Sequence, residues 1–469
     1  MQRRKSPGVS LLLAATALMT PATAFAQASP REAELEARLA KLEAEMQQLR
    51  ADLASARTEQ AETAAVAQQA AAKSDAAATQ VAAMQPQSAA PASGDGFRSG
   101  ATTIKLGGFI KLTAANSRFS DGEVATNSLG RDFYLPQSIP TGGGPASRVQ
   151  DFSAKQSRFW LNLATDVAGH AVKGYLETDF QTSPGTQGSQ RTTNGYNLTL
   201  RRAYLQVDRF TFGQDWSTFQ YVGALPESTD FVGATEGTVF VRQPLIRYSA
   251  PLGADLTLHA SIENAEAATA ALGAPALIEN GDDSIPDFAA RLAYAGKGGE
   301  LSLAGLAREV RIDNAGVSAK RFGWGASAGG KLYLTADKAN DLRFMATYGR
   351  NIGRYVGLNF APDAIFDPAT GDLADVRLFA ALAAARVALT PEIRMNLMGS
   401  YQTVDYDGAL PVAALAGFND RAWSLAANIF WTPVRNIDLG FEYRRGTREL
   451  VSGAKGQLDR FEFAAKYSF

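Results

Sequence analysis

The feature that most constrains this chain is an alternation of apolar and polar side chains that begins near residue 103 and continues to the last residue. In the closing stretch "LDRFEFAAKYSF", Phe461, Phe463 and Tyr467 alternate with Glu462 and Lys466. A period of two is the signature of a β-strand with one apolar and one polar face. Because the chain ends inside such a strand, another strand must pair with its edge, and only a closed barrel removes edges completely.

The alternating segments and their connections predict the type of barrel. We count sixteen segments, joined alternately by seven short turns, such as Asp208–Arg209, and eight longer loops. An even strand number with short turns at one end and long loops at the other is typical of outer-membrane barrels. The sequence therefore predicts an all-β membrane protein, a 16-stranded antiparallel transmembrane β-barrel, over residues 103–469. The long loops are expected near residues 117–153, 183–197, 216–242, 264–285, 311–319, 354–374, 406–419 and 449–456.

The width of this barrel decides which face meets lipid. Sixteen strands enclose a lumen too wide for side chains to fill, so an apolar interior is not expected. The apolar face should therefore contact outer-membrane lipid, and the polar face should line a water-filled lumen. Aromatic residues near the strand ends, such as Trp431, Tyr443 and Phe469, suit the interfacial girdles of such barrels. The last strand should pair with the first.

The residues before the barrel predict three further segments. Residues 1–26 combine three basic residues, the apolar stretch Val9–Met19 and "AFA" ending at Ala26, as a secretory signal peptide does. Residues 31–85 carry heptad spacing from Leu35 to Leu53, which predicts a periplasmic α-helical coiled coil but does not choose between a dimer and a larger assembly. A solvated single helix is the alternative. Residues 86–102 are rich in Pro, Ser and Gly and predict a linker.

Composition excludes several classes of function. The chain has no cysteine, so a disulfide scaffold and zinc–thiolate chemistry are excluded. Its formal charge is −1, and nucleic-acid binding would need a basic surplus. The sequence contains no metal or nucleotide motif, and no cofactor is expected. The histidines are His170 and His259; a barrel hydrolase needs a Ser–His pair facing lipid, whereas His170 lies in a turn and His259 has lumen phase. An enzyme is not expected.

Charged residues with lumen phase are the candidates for function, because a water-filled barrel works through its wall charges and its narrowest point. The third long loop, taken over Trp216–Tyr248, carries Glu227, Asp230 and Glu236. Folded inward, it would form the constriction, and its acids would face basic residues of the wall. The alternatives are that this loop stays outside and that wall charges merely pair with each other. The predicted basic pore-lining residues are Lys111, Arg158, Arg202, Arg247 and Arg291.

Four stretches resemble the DcaP-like porins over about Ile104 to Phe469. They are "LGGFIKLTA" (Leu106–Ala114), "QSRFWL" (Gln156–Leu161), "LRRAYLQVDRFTFGQDWSTF" (Leu200–Phe219) and the closing "KYSF". Within the third, "GQDWSTF" is the most specific element. The resemblance implies a homotrimeric 16-stranded channel with a periplasmic coiled-coil extension, associated with uptake of small organic acids such as dicarboxylates.

The resemblance also bears on two residues of the candidate site. It carries Arg202 over as a basic residue of the pore wall, whereas the family often has Thr where this chain has Asp215. We therefore expect an outer-membrane porin of a Gram-negative cell, favouring small organic anions. A non-selective or neutral-solute porin is the first alternative. The second is a structural tether in which the barrel anchors a helix that contacts the cell wall.

Overall fold

The computed structural model describes residues 46–47, 96–126, 128–181, 194–314 and 316–469. The predicted signal peptide and nearly all of the predicted coiled-coil helix and linker lie outside the described residues. Met46 and Gln47 are helical, and the end of the predicted linker forms a short strand, Phe97–Ser99, paired with Thr102–Ile104. The chain divides into two compact units, residues 1–91 and 92–469, and the second contains the barrel.

Sixteen antiparallel strands close into a porin-like barrel, which confirms the predicted barrel. Each strand pairs with the next in the chain, and the last pairs with the first. The second strand is interrupted between residues 153 and 158. The strands are β1 Thr102–Phe119, β2 Ser147–Ser153 with Arg158–Val167, β3 His170–Asp179, β4 Thr199–Val207, β5 Phe210–Trp216, β6 Arg242–Pro251, β7 Leu256–Glu263, β8 Asp287–Gly296, β9 Gly299–Asn314, β10 Val317–Tyr333, β11 Asp341–Arg350, β12 Asp372–Ala388, β13 Ile393–Tyr406, β14 Asn419–Val434, β15 Ile437–Leu450 and β16 Lys455–Ser468.

Short elements decorate the long loops. The fourth and sixth loops contribute three strands, two of which, Ala268–Ala271 and Ala364–Asp367, pair in parallel. The third, Ala274–Glu279, pairs with Ala268–Ala271. Among the described residues, no helix is long and apolar enough to cross a membrane. Among its described residues this unit contains the α-helix Leu129–Asp132 and the 3₁₀ helices Pro136–Ser138, Val222–Ala224 and Gly353–Tyr355.

The barrel closes through the predicted C-terminal strand. Ile110 on β1 lies opposite Tyr467 on β16. The backbone of Gly108 exchanges two hydrogen bonds with that of Phe469, at 3.2 and 3.0 Å. The Phe469 ring also packs 6.2 Å from the ring of Phe159. The last residue therefore completes the join between the two ends of the sheet.

Deleting Phe469 is expected to lower the thermal stability of the barrel, because two backbone hydrogen bonds at the join disappear. Their combined contribution is about 1–3 kcal/mol. Phe469→Leu keeps the backbone bonds and serves as the matched control. Heat-dependent mobility of the folded barrel on gels measures the effect. Equal melting of the deletion and the wild type would contradict this role for the C-terminal residue.

The apolar face of the strands points outward, as the alternation predicts. The most exposed large apolar residues on barrel strands include Leu106 at 64%, Leu303 at 61% and Leu397 at 63%. The residues on either side of Leu303 and Leu397 are directed inward and buried; Met398, for example, is 1% exposed. An outer surface of this kind is suited to hydrocarbon and not to water.

Two predicted loops differ from the structure. Residues 147–153, placed in the first long loop, form a strand segment that pairs with Thr113–Phe119. Residues 311–319, predicted as a long loop, are strand up to Asn314 and again from Val317. In both places polar residues interrupt the apolar pattern while the backbone continues the ladder, because strands that rise beyond the membrane no longer need an apolar outer face.

Candidate functional site: the barrel lumen

The third long loop, residues 217–241 and hereafter loop 3, folds into the barrel. Lys111 on β1 donates a hydrogen bond from Nζ to the Thr229 carbonyl at 2.6 Å. Ser228 donates to the carboxylate of Glu442 on β15 at 2.6 Å. Tyr221 donates to Glu300 on β9 at 2.8 Å. Because these partners lie on the inner wall of distant strands, loop 3 crosses the lumen.

Two of the three predicted loop acids, Asp230 and Glu236, are buried, and in the described residues neither forms an ion pair with the predicted arginines. Asp230 instead lies 4.0 Å from Arg460 on β16. The Asp230 carboxylate accepts the backbone N–H of Tyr134 at 2.7 Å and that of Val232 at 3.0 Å. Glu236 is fully buried and accepts hydrogen bonds from Tyr134, Ser400 and Ser424. Burial raises the pKa of the Glu236 carboxyl above its ordinary value. These acids hold loop 3 in place.

Glu227 is a partly exposed loop acid that pairs with basic residues of the wall. Its carboxylate accepts a hydrogen bond from Arg394 on β13 at 2.8 Å and lies 4.0 Å from Arg386 on β12. Arg394 also reaches Asp438 on β15 at 3.1 Å. A side-chain exposure of 26% leaves Glu227 accessible to lumen water. Its charge is offset locally by the two arginines.

An apolar cluster fills part of the interior, contrary to the expectation of a uniformly polar lumen. Phe219 and Val239 of loop 3 pack with Tyr355 of the sixth loop and with Leu378 and Leu382 on the inner face of β12. Gly237 lies against the backbone of this strand, where a Cβ would stand 2.3 Å from the Ala381 carbonyl oxygen. Loop 3 thus needs glycine to sit so close to the wall.

The remaining side of the lumen carries a group of six arginines, which we call the arginine wall. Four of them were predicted from sequence and two were not. They are linked to one another by shared carboxylates and by electrostatic contact. The arginine wall consists of Arg158, Arg201, Arg202, Arg242, Arg247 and Arg291.

Two carboxylates on β3 pair with the first part of the arginine wall. Arg201 reaches Glu177 at 2.7 Å and Asp179 at 2.6 Å. Arg158 lies 3.3 Å from Asp179 and 3.8 Å from Glu177. Loop 3 contributes Phe231, whose ring lies 5.2 Å from the Arg201 guanidinium carbon. These ion pairs fix Arg201, whose side chain is 2% exposed, whereas the Arg158 side chain is 21% exposed.

Asp215 bridges the second part of the arginine wall. Its carboxylate accepts from Arg202 at 2.6 Å and from Arg247 at 2.9 Å. Arg247 donates further to the Thr218 hydroxyl at 2.7 Å. Arg202 lies over the ring of Tyr175 at 4.7 Å, an arrangement that a cation favours. The acid at this position therefore orients two arginines instead of standing alone in the lumen.

Arg242 and Arg291 have no carboxylate at ion-pair distance in the described part of the chain. Arg242 lies 4.9 Å from the Trp216 ring, within electrostatic range of Arg201, and one of its terminal nitrogens is buried without an acceptor. Arg291 faces His259 across β7 and β8, within electrostatic range of Arg247. The arginine wall thus sets six cations against three carboxylates, an excess of three positive charges.

A β-bulge explains why Arg201 was missed. Glu177 pairs with Arg202, but the next pair is Thr178 with Leu200, so Arg201 is an extra residue on β4. A bulge lets two consecutive side chains share one face, and both arginines point inward. The doublet "RR" with ambiguous phase was the available signal. No comparable sequence signal marks Arg242, because this residue lies at the start of β6, where the alternation begins.

A serine and the second histidine also meet on this side of the lumen. The Ser249 hydroxyl lies 2.9 Å from Nδ1 of His259. In a hydrolytic triad a carboxylate orients the histidine, and none hydrogen-bonds this ring in the described ranges. The other histidine, His170, lies at an exposed turn, where its Nδ1 is 2.8 Å from a carboxylate oxygen of Asp208. The contact between Ser249 and His259 is a polar contact between neighbouring strands.

Comparison with known proteins shows which family and which solved structures this barrel is similar to. The model of the family described as "DcaP outer membrane protein" matches residues 79–469. The crystal structure of the outer membrane channel DcaP of Acinetobacter baumannii is 25% identical, covers 80% of this chain and 99% of its own, and superposes with a TM-score of 0.66. OmpT of Vibrio cholerae is 11% identical, with 80% and 99% coverage and a TM-score of 0.49. No curated protein matched.

The family match covers most of the chain and all of the barrel. With the outward apolar face, the closed sheet and the inward loop, it identifies a porin-like channel fold of the outer membrane. The chain belongs to the DcaP outer membrane protein family.

Proposed function

We propose that this protein is a passive diffusion channel that favours small organic anions, dicarboxylates among them. The observation that carries the proposal is the arginine wall. Two of its cations, Arg242 and Arg291, form no ion pair with a carboxylate in the described residues. A one-sided positive potential in a narrow, low-dielectric passage concentrates anions and repels cations. The proposal is for transport and not for catalysis.

The position of loop 3 supports this proposal. Loop 3 crosses the lumen and contacts the arginine wall through Phe231 and Thr218. Solutes that pass loop 3 would meet Arg158 and Arg202, whose side chains are each 21% exposed. The buried loop acids, Asp230 and Glu236, are enclosed by their hydrogen bonds, so they offer little negative potential to the passage. Glu227 is the accessible loop acid, and Arg394 and Arg386 offset it.

The remaining expectations for the chain are parts of the same proposal. We infer that residues 1–26 are removed on export, that residues 31–85 form a periplasmic coiled coil, and that residues 86–102 connect it to the barrel. The heptads and the family resemblance support a homotrimer. The expected partners are therefore two further copies, outer-membrane lipid and small anionic solutes, with no nucleic acid and no cofactor.

Release of size-matched solutes from liposomes tests the proposal. Glycolate, glycolamide and ethanolamine are similar in size and carry negative, zero and positive charge. We expect glycolate to leave first, by a factor of about ten over ethanolamine. Equal rates for all three would favour the neutral-solute porin. No release of any solute would favour the structural tether with a barrel anchor.

Asp215→Asn is expected to increase anion preference, because the excess of the arginine wall rises from three charges to four. The same change should destabilise the barrel by up to about 3 kcal/mol, since two partly buried arginines lose a partner. Reversal potentials and thermal unfolding measure the two effects. Asp208→Asn, at an exposed turn, is the matched control. Unchanged or weaker anion preference would contradict the role assigned to Asp215.

A further inference from the structure

A cavity outside the arginine wall, which we call the mouth pocket, lies at the long-loop end of the barrel. Its volume is about 310 Å³, within the range of small-molecule sites. The first, fourth, sixth and seventh long loops and the ends of β13, β14 and β15 supply the lining, and no residue of the arginine wall takes part. The lining includes Gln137, Ala276, Phe360, Phe418, Asn419 and Arg448.

Arg448 gives the mouth pocket a positive charge. Its Nε donates to Asn419 Oδ1 at 2.7 Å, and its Nη1 donates to the Ile139 carbonyl at 2.9 Å. These two bonds orient the guanidinium and leave Nη2 without a protein acceptor among the residues described. No carboxylate in those residues forms an ion pair with Arg448. A guanidinium held in this way can bind one anionic group.

Gln137 supplies a complementary acceptor on the same side. Its amide nitrogen donates to the Leu358 carbonyl at 2.6 Å, and its Oε1 is buried without a donor in the described part of the chain. Buried polar atoms are normally paired, so the Gln137 side chain would gain a hydrogen bond by turning its Oε1 toward a ligand hydroxyl or N–H. Gln137 is two residues from Ile139, whose carbonyl binds Arg448, so the acceptor and the cation belong to one small region.

The rest of the mouth pocket is apolar, and its backbone is held in a rare conformation. The rings of Phe360 and Phe418, 2% and 1% exposed, form part of the lining. Gly357, Leu358 and Asn359 follow one another with φ of 62°, 54° and 64°. A leucine in the left-handed region is uncommon, and such backbone is retained at binding sites when its surroundings enforce it.

We propose that the mouth pocket binds a small organic acid with three features: one anionic group for Arg448, an apolar or aromatic body, and a hydrogen-bond donor for Gln137. The pocket captures this solute at the outer mouth before it reaches the arginine wall. The capture role rests on the proposed function, whereas binding itself does not. A monoanion with a flat apolar body fits better than a short dianion, because Arg448 is the one charged residue of the lining in the described ranges.

Calorimetric titration of the full-length protein in detergent tests the site, with 4-hydroxybenzoate as the probe. Benzoate lacks the donor, and 4-hydroxybenzyl alcohol lacks the charge. Ala276→Trp fills the mouth pocket without removing a hydrogen bond, and Ala274→Trp, on the same hairpin but outside the lining, is its control. We expect 4-hydroxybenzoate to bind wild type and Ala274→Trp alike, and Ala276→Trp at least about tenfold more weakly.

Two results would overturn the mouth pocket: equal binding to Ala276→Trp, or equal binding of the uncharged alcohol. The calorimetric and liposome measurements together distinguish failure of the mouth-pocket proposal from failure of the channel proposal. Binding without any solute release from liposomes would refute the channel alone, and release without binding would refute the pocket alone.

Discussion

Replacing both Arg242 and Arg291 by glutamine should remove most of the anion preference of this channel. These two are the members of the arginine wall that lack a carboxylate partner in the described residues. Without them, four arginines face three carboxylates, and the excess falls from three positive charges to one. Since the passage owes its potential to this excess, the anion-to-cation permeability ratio should fall by about tenfold.

The reversal potential in a salt gradient measures this ratio for the double variant. Lys320→Gln is the matched control, because it removes a positive charge from a side chain that is 74% exposed on the outer face of β10. The control should keep the wild-type ratio. If the double variant also keeps it, selectivity is set elsewhere in the lumen and the arginine wall has a structural role.

Gly237→Leu should widen the channel. A Cβ at this position would stand 2.3 Å from the Ala381 carbonyl oxygen and 2.6 Å from the Leu382 nitrogen. Both atoms belong to the β12 backbone and cannot move aside without breaking the sheet, so loop 3 must leave the wall. Overpacking of this kind costs about 1–3 kcal/mol, and displacement of loop 3 should raise single-channel conductance by about twofold.

Single-channel recording of Gly237→Leu needs a glycine control that is free of contacts. Gly253, in the turn between β6 and β7, has open space around the same added atom, so Gly253→Leu should conduct as the wild type does. A Gly237→Leu channel with wild-type conductance would show that loop 3 does not limit flow. A non-conducting one would show that the displaced loop closes the passage, which also contradicts the prediction.

The sequence predicts those parts of the structure that follow from strict alternation. Phe461, Phe463 and Tyr467 belong to a strand that pairs with β1, and the prediction needed no knowledge of packing. The same reasoning places Arg202, Arg247 and Arg291 on the inner face. Alternation works here because one side of each strand must suit lipid, so a slip of one residue would expose every polar side chain to it.

The parts that could not be predicted depend on contacts between distant segments. The inward turn of Arg201 needs a bulge opposite Thr178, which no periodicity reveals. The burial of Glu236 depends on Tyr134, 102 positions earlier, and on Ser400, 164 positions later. The packing of loop 3 on the apolar inner face of β12 around Leu378 is likewise a contact between distant segments, which alternation alone does not reveal.

The preference of the passage for anions is tested most directly by the reversal potential of the wild-type channel in a planar bilayer. With concentrated potassium chloride on one side and dilute on the other, the current should reverse at a potential with the sign of the chloride equilibrium potential. A reversal with the sign of the potassium equilibrium potential, or at zero, would contradict the anion preference, because the arginine wall would then not control which ions pass.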